Sequence, residues 1–168
     1  MKSRPRPPSA RTDARPPASV PPPDLDYRAL AEFRHQIRLF LMFSESEARE
    51  AGIEPQQHQL LLALKGLPEG QRPTIGVLAE RLQLRHHTVV GLVDRLVVAK
   101  LVTRLASETD GREILVRITA GGERTLRALS LAHHEELRTL GPALVRALES
   151  LLRAEQSKTR SKSVKRRP

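Results

Sequence analysis

The chain has 168 residues, no cysteine and a formal net charge of +10 at pH 7. The lack of cysteine excludes disulfide bonds, thiolate zinc sites and thiol-based redox sensing, and no apolar run approaches the ~20 residues that span a bilayer. Because the charged N-terminus is followed by no apolar segment of the secretory kind, we expect a cytoplasmic protein.

The excess positive charge lies at the two ends of the chain. Residues 1–23 contain five basic residues and one acidic residue, residues 153–168 contain seven and one, and residues 24–152 contain 17 of each. The first segment also holds eight of the thirteen prolines, and it lacks the apolar surface that would offset the entropy of ordering. We therefore predict a disordered basic arm over 1–23, one domain over 24–155 and a disordered basic tail over 156–168. The arm is either a solvated leader or a contact to DNA phosphates.

Two helices are predicted before residue 70. The first runs from about residue 27 to 51, after a cap at Asp24 or Asp26, and ends at Gly52. Its apolar residues cover more than one face, so it is either central in the monomer or shared with a partner subunit. They include all four aromatic residues of the chain, Tyr27, Phe33, Phe40 and Phe43. The second begins at Pro55 and ends near Gly66; we interpret it as scaffold.

A helix-turn-helix is predicted next. Thr74 can cap a helix whose apolar positions are Val77, Leu78, Ala79 and Leu82. The following helix has an apolar stripe at 3- and 4-residue spacing, consisting of Val89, Leu92, Val93 and Leu96. Since only residues 83–85 separate them, the two helices must meet at a steep angle. In that geometry the second helix, here called the recognition helix, can lie in a DNA major groove.

Two short strands follow the recognition helix. Residues 101–105 and 114–118 are rich in β-branched side chains, and Asp110-Gly111 between them is a strong hairpin signal. A hairpin that follows a helix-turn-helix is a wing. The predicted fold is therefore mainly α with a small β-hairpin wing, a winged helix-turn-helix plus an α-helical dimerisation lobe.

The C-terminal part predicts the dimerisation lobe. Thr119 caps a helix that runs to about Leu140, Gly141-Pro142 breaks it, and a last helix spans residues 143–153. Their apolar stripes exceed what a small winged helix can cover, so we predict a homodimer through residues 27–51 and 120–153. His133 and Glu136 have the spacing of a metal-ligand pair, although a histidine satisfied within an interface is the commoner arrangement.

Several short stretches in this order resemble the MarR family of bacterial transcriptional regulators, from about residue 27 to 152. They are Leu78-Ala79-Glu80-Arg81-Leu82, Leu92-Val93-Asp94-Arg95-Leu96, Leu101-Val102, Asp110-Gly111-Arg112 and Ile118-Thr119-Ala120-Gly121-Gly122. The resemblance implies a homodimer with interlocked first and last helices and one winged helix per subunit on operator DNA. It also implies a small-molecule effector bound between the dimerisation lobe and the winged helices. The sequence departs from the family at Arg85, where a serine cap is frequent, and at Gly91, where a polar or basic residue often faces DNA.

The candidate DNA contacts fall into two groups. At the start of the recognition helix, Arg85 can bind guanine O6 and N7, and Thr88 can bind either base type. His86 and His87 can donate to a phosphate or to a base acceptor. The two histidines are otherwise solvent-facing or one caps the helix. The second group begins with Arg95, which either contacts a phosphate or braces the wing together with Asp94. It also includes the wing arginines: Arg112 can enter the minor groove, and Arg104 and Arg117 can contact flanking phosphates.

These observations and the resemblance predict a sequence-specific double-stranded DNA-binding transcriptional regulator, a ligand-responsive repressor that acts as a homodimer on a palindromic operator. The alternative is a winged-helix protein-interaction module without an operator. The sequence has no Gly-rich phosphate loop, no nucleophile paired with a base and no carboxylate pair of catalytic type. We therefore predict no enzymatic activity, no cofactor and no metal site.

Overall fold

The computed structural model describes residues 27–106 and 113–164, with side chains to Arg153. The elements in chain order are α1 (Tyr27–Glu50), α2 (Pro55–Lys65), α3 (Ile75–Leu82), α4 (His86–Val98), β1 (Val102–Ala106), β2 (Ile114–Ile118) and α5 (Ala120–Val164). This order confirms the predicted mainly helical fold with a β-hairpin wing. The predicted arm over 1–23, the caps at Asp24 and Asp26, and the hairpin tip at Asp110-Gly111 lie outside the described residues.

The helix-turn-helix forms as its caps and apolar spacing predict. The hydroxyl oxygen of Thr74 accepts a hydrogen bond from the backbone N–H of Val77 at 3.2 Å, which satisfies one donor at the start of α3. Gln83 ends α3 with a φ of 54°, a left-handed conformation that turns the chain sharply toward α4. Three apolar residues of α4, Val89, Val93 and Leu96, have no exposed surface and belong to one core with α2 and α3.

The wing is held to the helix-turn-helix at its base. β1 and β2 pair antiparallel with Val102 opposite Ile118. The segment before α3 adds a short third edge, because the N–H of Val116 donates to the carbonyl of Pro73 at 2.8 Å and Thr74 bridges Leu115. Loop and wing are therefore fixed to each other by main-chain hydrogen bonds.

The predicted break at Gly141-Pro142 is wrong, because α5 is one helix with Pro142 inside it. A proline in a helix interior costs one hydrogen bond and about 3 kcal/mol, but packing on both sides outweighs that cost. Leu126 and Leu129 are buried before the proline, and Ala147 is buried after it. α5 also continues to Val164, into the basic tail predicted from residue 156 onwards.

An aromatic cluster joins α1, α2 and α5 near the helix-turn-helix. The ring of His133 lies 4.9 Å from that of His58 and makes edge-on contacts with Phe40 and Phe43 at 5.7 and 5.6 Å. His133 donates from Nδ1 to the carbonyl oxygen of Leu129 at 2.6 Å. The ring of His133 therefore packs against α1 and α2 of its own subunit. Within the described residues no three His, Cys, Asp or Glu side chains form a metal-binding group.

The stability of the fold is expected to depend on pH through His58. Burial lowers the pKa of His58 below its ordinary value of 6.5, and the neighbouring His133 lowers it further. The unfolded chain then binds the proton more readily, so the contribution is complete above pH 6.5 and is lost as the pH falls through the lowered pKa. The loss is at most about 1.4 kcal/mol per pH unit.

Urea unfolding at about pH 7.5 and about pH 5.5 measures this contribution. We expect the wild-type chain to lose more stability between the two conditions than His58→Phe, which keeps a buried ring but carries no titrating nitrogen. An identical loss in both proteins would assign the pH dependence to other groups.

Candidate nucleic-acid interface

The recognition helix, α4, has one buried side and one exposed side. Its buried stripe is the one predicted from spacing, and the opposite stripe consists of His87, Gly91, Asp94 and Val98. The exposure of Val98 reaches 83%, which is high for a large apolar side chain. The described residues therefore leave this side of the helix open along its length.

The structure brings the four predicted contacts at the start of α4 together. Arg85 is the N-cap residue, and within the described residues its guanidinium forms no ion pair. Arg85, His86 and His87 are exposed and Thr88 is half-buried. They surround the free backbone N–H groups of a helix N-terminus, where the helix dipole favours negative charge. This end of α4 suits an anionic ligand such as a phosphate group.

Arg104 links the wing to the recognition helix. Its guanidinium forms an ion pair with the carboxylate of Asp94 at 2.5 Å and donates to the carbonyl oxygen of Val90 at 3.4 Å. The sequence predicts that Arg104 contacts DNA phosphates and that Asp94 braces the wing together with Arg95. The bracing partner of Asp94 is Arg104, and spacing alone did not reveal it because the two residues lie on different elements.

A second ion pair fastens the base of the wing. Arg72, in the loop before α3, lies 2.7 Å from the carboxylate of Glu113, just ahead of β2. Arg117 is exposed on β2, opposite Thr103 in the register, whereas Arg112 lies outside the described residues. Of the predicted wing arginines, Arg104 is thus engaged within the protein and Arg117 faces outward.

An open groove of about 620 Å³ separates the edge of α4 from the wing. Thr74 and Gly76 line it from the start of α3, His86 and Val90 from α4, and Arg104 from the wing. The groove places an imidazole and a guanidinium beside the open side of α4.

Among the helices that the structure describes, none combines the length and the apolar character needed to span a membrane.

Several solved structures share this architecture. AbsC, a MarR family transcriptional regulator from Streptomyces coelicolor, superposes with a TM-score of 0.62 at 22% identity, over 80% of this chain and 93% of that one. A mutant of MepR from Staphylococcus aureus bound to an oligodeoxyribonucleotide gives 0.56 at 23% identity, over 83% and 99%. RV1404 from Mycobacterium tuberculosis gives 0.59 at 24% identity, over 76% and 91%. These likenesses establish the fold.

A comparison of the sequence with family models gives a match. No curated protein matches the chain significantly, but residues 51–113 match the model of the MarR family. That segment covers α2, the helix-turn-helix and the first part of the wing. Residues 51–113 are thus similar in sequence to the MarR family, and the chain has the fold of the solved MarR-family regulators.

Proposed function

We propose that this protein is a sequence-specific regulator of transcription that binds double-stranded DNA as a homodimer on a palindromic operator. The observation that carries the proposal is the open side of α4, which begins with Arg85, His86 and His87, all exposed. In helix-turn-helix docking the first residues of this helix reach the base edges. The wing, braced by Arg104 against Asp94, would contact the neighbouring phosphates and add affinity without sequence preference.

Exposed apolar side chains support the homodimer. α1 exposes Tyr27, Leu30, Leu41 and Met42, and α5 exposes Leu131, Leu137, Val145, Leu148 and Leu152. Large apolar residues at such density on two neighbouring helices are typical of a contact surface. A second copy is the simplest partner, through a twofold contact that uses the same surface on both subunits. Two copies of α4 ~34–36 Å apart would then enter successive major grooves.

The proposal includes response to a small molecule, which is supported by the family alone. An effector would repress or release DNA binding only if it bound unequally to dimers with different spacings of the two α4 helices. The cluster of Phe40, Phe43, His58 and His133 joins α2, which carries the winged helix, to α1 and α5. A ligand that moved α2 against the other two helices would therefore change that spacing.

The variant Arg85→Ala tests the proposal that the protein binds DNA sequence-specifically. Because a bidentate arginine contact to guanine discriminates by about 1–3 kcal/mol, we expect this variant to bind its preferred duplex at least about fivefold more weakly and to lose preference at one base pair. The preferred duplex is first selected from a random-sequence library by the wild-type protein. Binding is then measured at several salt concentrations.

Each outcome assigns a role. A uniform loss across all sequences with a shallower salt dependence would make Arg85 a phosphate contact. Failure of the wild-type chain to select any sequence, with no salt-dependent duplex binding, would favour the protein-interaction module and overturn the proposal.

A further inference from the structure

The exposed side of α4 has a gap at its centre. Gly91 lies between His87 and Asp94 on this side, and a glycine inside a helix costs about 1 kcal/mol relative to alanine. The fold gives no packing reason for it. A Cβ at position 91 would have a single heavy atom of the described residues within 4 Å, which is Nη1 of Arg95 at 3.6 Å.

Arg95 occupies the space that a side chain at position 91 would share. Side chains on a helix lean toward its N-terminus, and the guanidinium of Arg95 lies one turn back, beside Gly91. It is thereby shifted from the flank of α4 toward the centre of the exposed side. Its charge also lies closer to the N-terminal end of the helix, where the other candidate base contacts are.

The charges around Arg95 leave its guanidinium available. The adjacent carboxylate, Asp94, is held by Arg104 at 2.5 Å. Glu45 and Glu54 line an open pocket of about 320 Å³ together with Arg95, but Glu45 pairs with Arg49 at 3.0 Å. Within the part of the chain that the structure describes, Arg95 forms no ion pair.

We infer that Arg95 is a specificity-determining residue that binds a guanine in the major groove. We also infer that Gly91, which has no side chain, leaves the space in which the guanidinium of Arg95 is positioned. The inference rests on the proposed function. Phosphates lie along the edges of the groove, whereas base edges face the middle of a docked helix. The planar fork of a guanidinium at that position matches the O6 and N7 acceptors of guanine. Arg95 therefore acts on the base, and Gly91 acts through Arg95.

The test uses the duplex selected by the wild-type protein and a set in which each base pair is replaced in turn. Arg95→Ala is expected to lose discrimination at one G·C pair by at least about fivefold. Arg95→Lys should lose it as well, because an ammonium group cannot form the two parallel bonds, but should keep the salt dependence. Gly91→Leu fills the space and should abolish the same preference.

The decisive measurement is the combination Gly91→Leu/Arg95→Ala. If Gly91 acts through Arg95, the double variant discriminates no less than Arg95→Ala alone. Gln59→Leu, which places a leucine at an exposed position of α2, controls for an added exposed apolar side chain, and thermal unfolding verifies that every variant is folded.

Two results would overturn the inference while leaving the proposed function intact. One is a loss for Arg95→Ala that is equal across all base pairs, with a shallower salt dependence, which is the behaviour of a phosphate contact. The other is an additional loss from Gly91→Leu in the Arg95→Ala background. If the wild-type chain selects no duplex at all, the proposed function itself fails.

Discussion

Replacing Gly122 with alanine is expected to destabilise the folded chain by about 3 kcal/mol, at the upper end of the usual cost of overpacking. Gly122 lies in the first turn of α5, where its N–H donates to the hydroxyl oxygen of Thr119 at 3.0 Å. A Cβ there would collide with the carbonyl oxygen of Leu101 and would lie 2.7 Å from a side-chain carbon of Ile118. The first of these is a backbone atom that cannot rotate away, so either α5 or β1 must move.

Gly121→Ala is the matched control, since it adds the same methyl group one residue earlier. Its Cβ would lie 3.5 Å from the carbonyl oxygen of Lys100 and from the hydroxyl oxygen of Thr119, which are ordinary contacts. We expect this variant to unfold at nearly the wild-type urea concentration, or slightly above it because alanine favours helix. Equal midpoints for the two variants would show that Gly122 is not a point of close approach.

The position of Gly122 explains how the two lobes are joined. Thr119, just before α5, donates two further hydrogen bonds: its N–H to the carbonyl oxygen of Leu101 at 3.0 Å and its hydroxyl to the carbonyl oxygen of Lys100 at 2.8 Å. Lys100 and Leu101 lie two and three residues after the end of α4. The start of α5 is therefore hydrogen-bonded to the short segment that connects α4 to β1, and we expect a movement of α5 to displace that segment.

Local sequence signals predicted the elements because their causes are local. The Thr74 cap, the proline at the start of α2 and the periodic apolar stripe of α4 each depend on residues within one or two turns. The glycine pair at 121–122 was also visible, as part of the family resemblance. Its cause was not visible, because the close approach involves the carbonyl of Leu101, twenty-one residues earlier in the chain.

The arrangement of the candidate site was only partly predictable. The residues at the start of α4 follow from the boundaries of the helix, and the structure places them where the sequence did. The ion pair of Arg104 with Asp94 depends instead on how the wing folds back onto α4. The place of Arg95 beside Gly91 depends on one rotamer. The predicted helix break at Pro142 is wrong because packing along both halves of α5, which is not a local property, decides whether the helix continues.

Charges placed on the exposed apolar stripe of α5 are expected to separate the proposed dimer. Val145 and Leu148 are 53% and 42% exposed, and together with Leu152 they form one stripe at 3- and 4-residue spacing. In Val145→Glu/Leu148→Glu, association would bury four like charges across a twofold contact, because each subunit contributes the same surface. We expect the double variant to be a folded monomer by light scattering and circular dichroism.

Ser150→Glu controls for the added charge, because position 150 is exposed on the opposite side of the same helix. This variant should remain dimeric. A monomeric Ser150→Glu, or a dimeric double variant, would place the interface elsewhere on the chain.

The effect on DNA binding follows from geometry. A dimer engages its second half-site as an intramolecular event, which raises affinity by roughly 100- to 10,000-fold over a single subunit. The Val145→Glu/Leu148→Glu monomer keeps α4 and the wing unchanged, so it should bind a single half-site as well as any one wild-type subunit does, and it should lose the gain from pairing two of them. Titration against duplexes with one and with two half-sites separates these contributions: the wild-type chain should distinguish the two duplexes by that factor, and the monomer should distinguish them by no more than about twofold, the statistical advantage of having two places to bind.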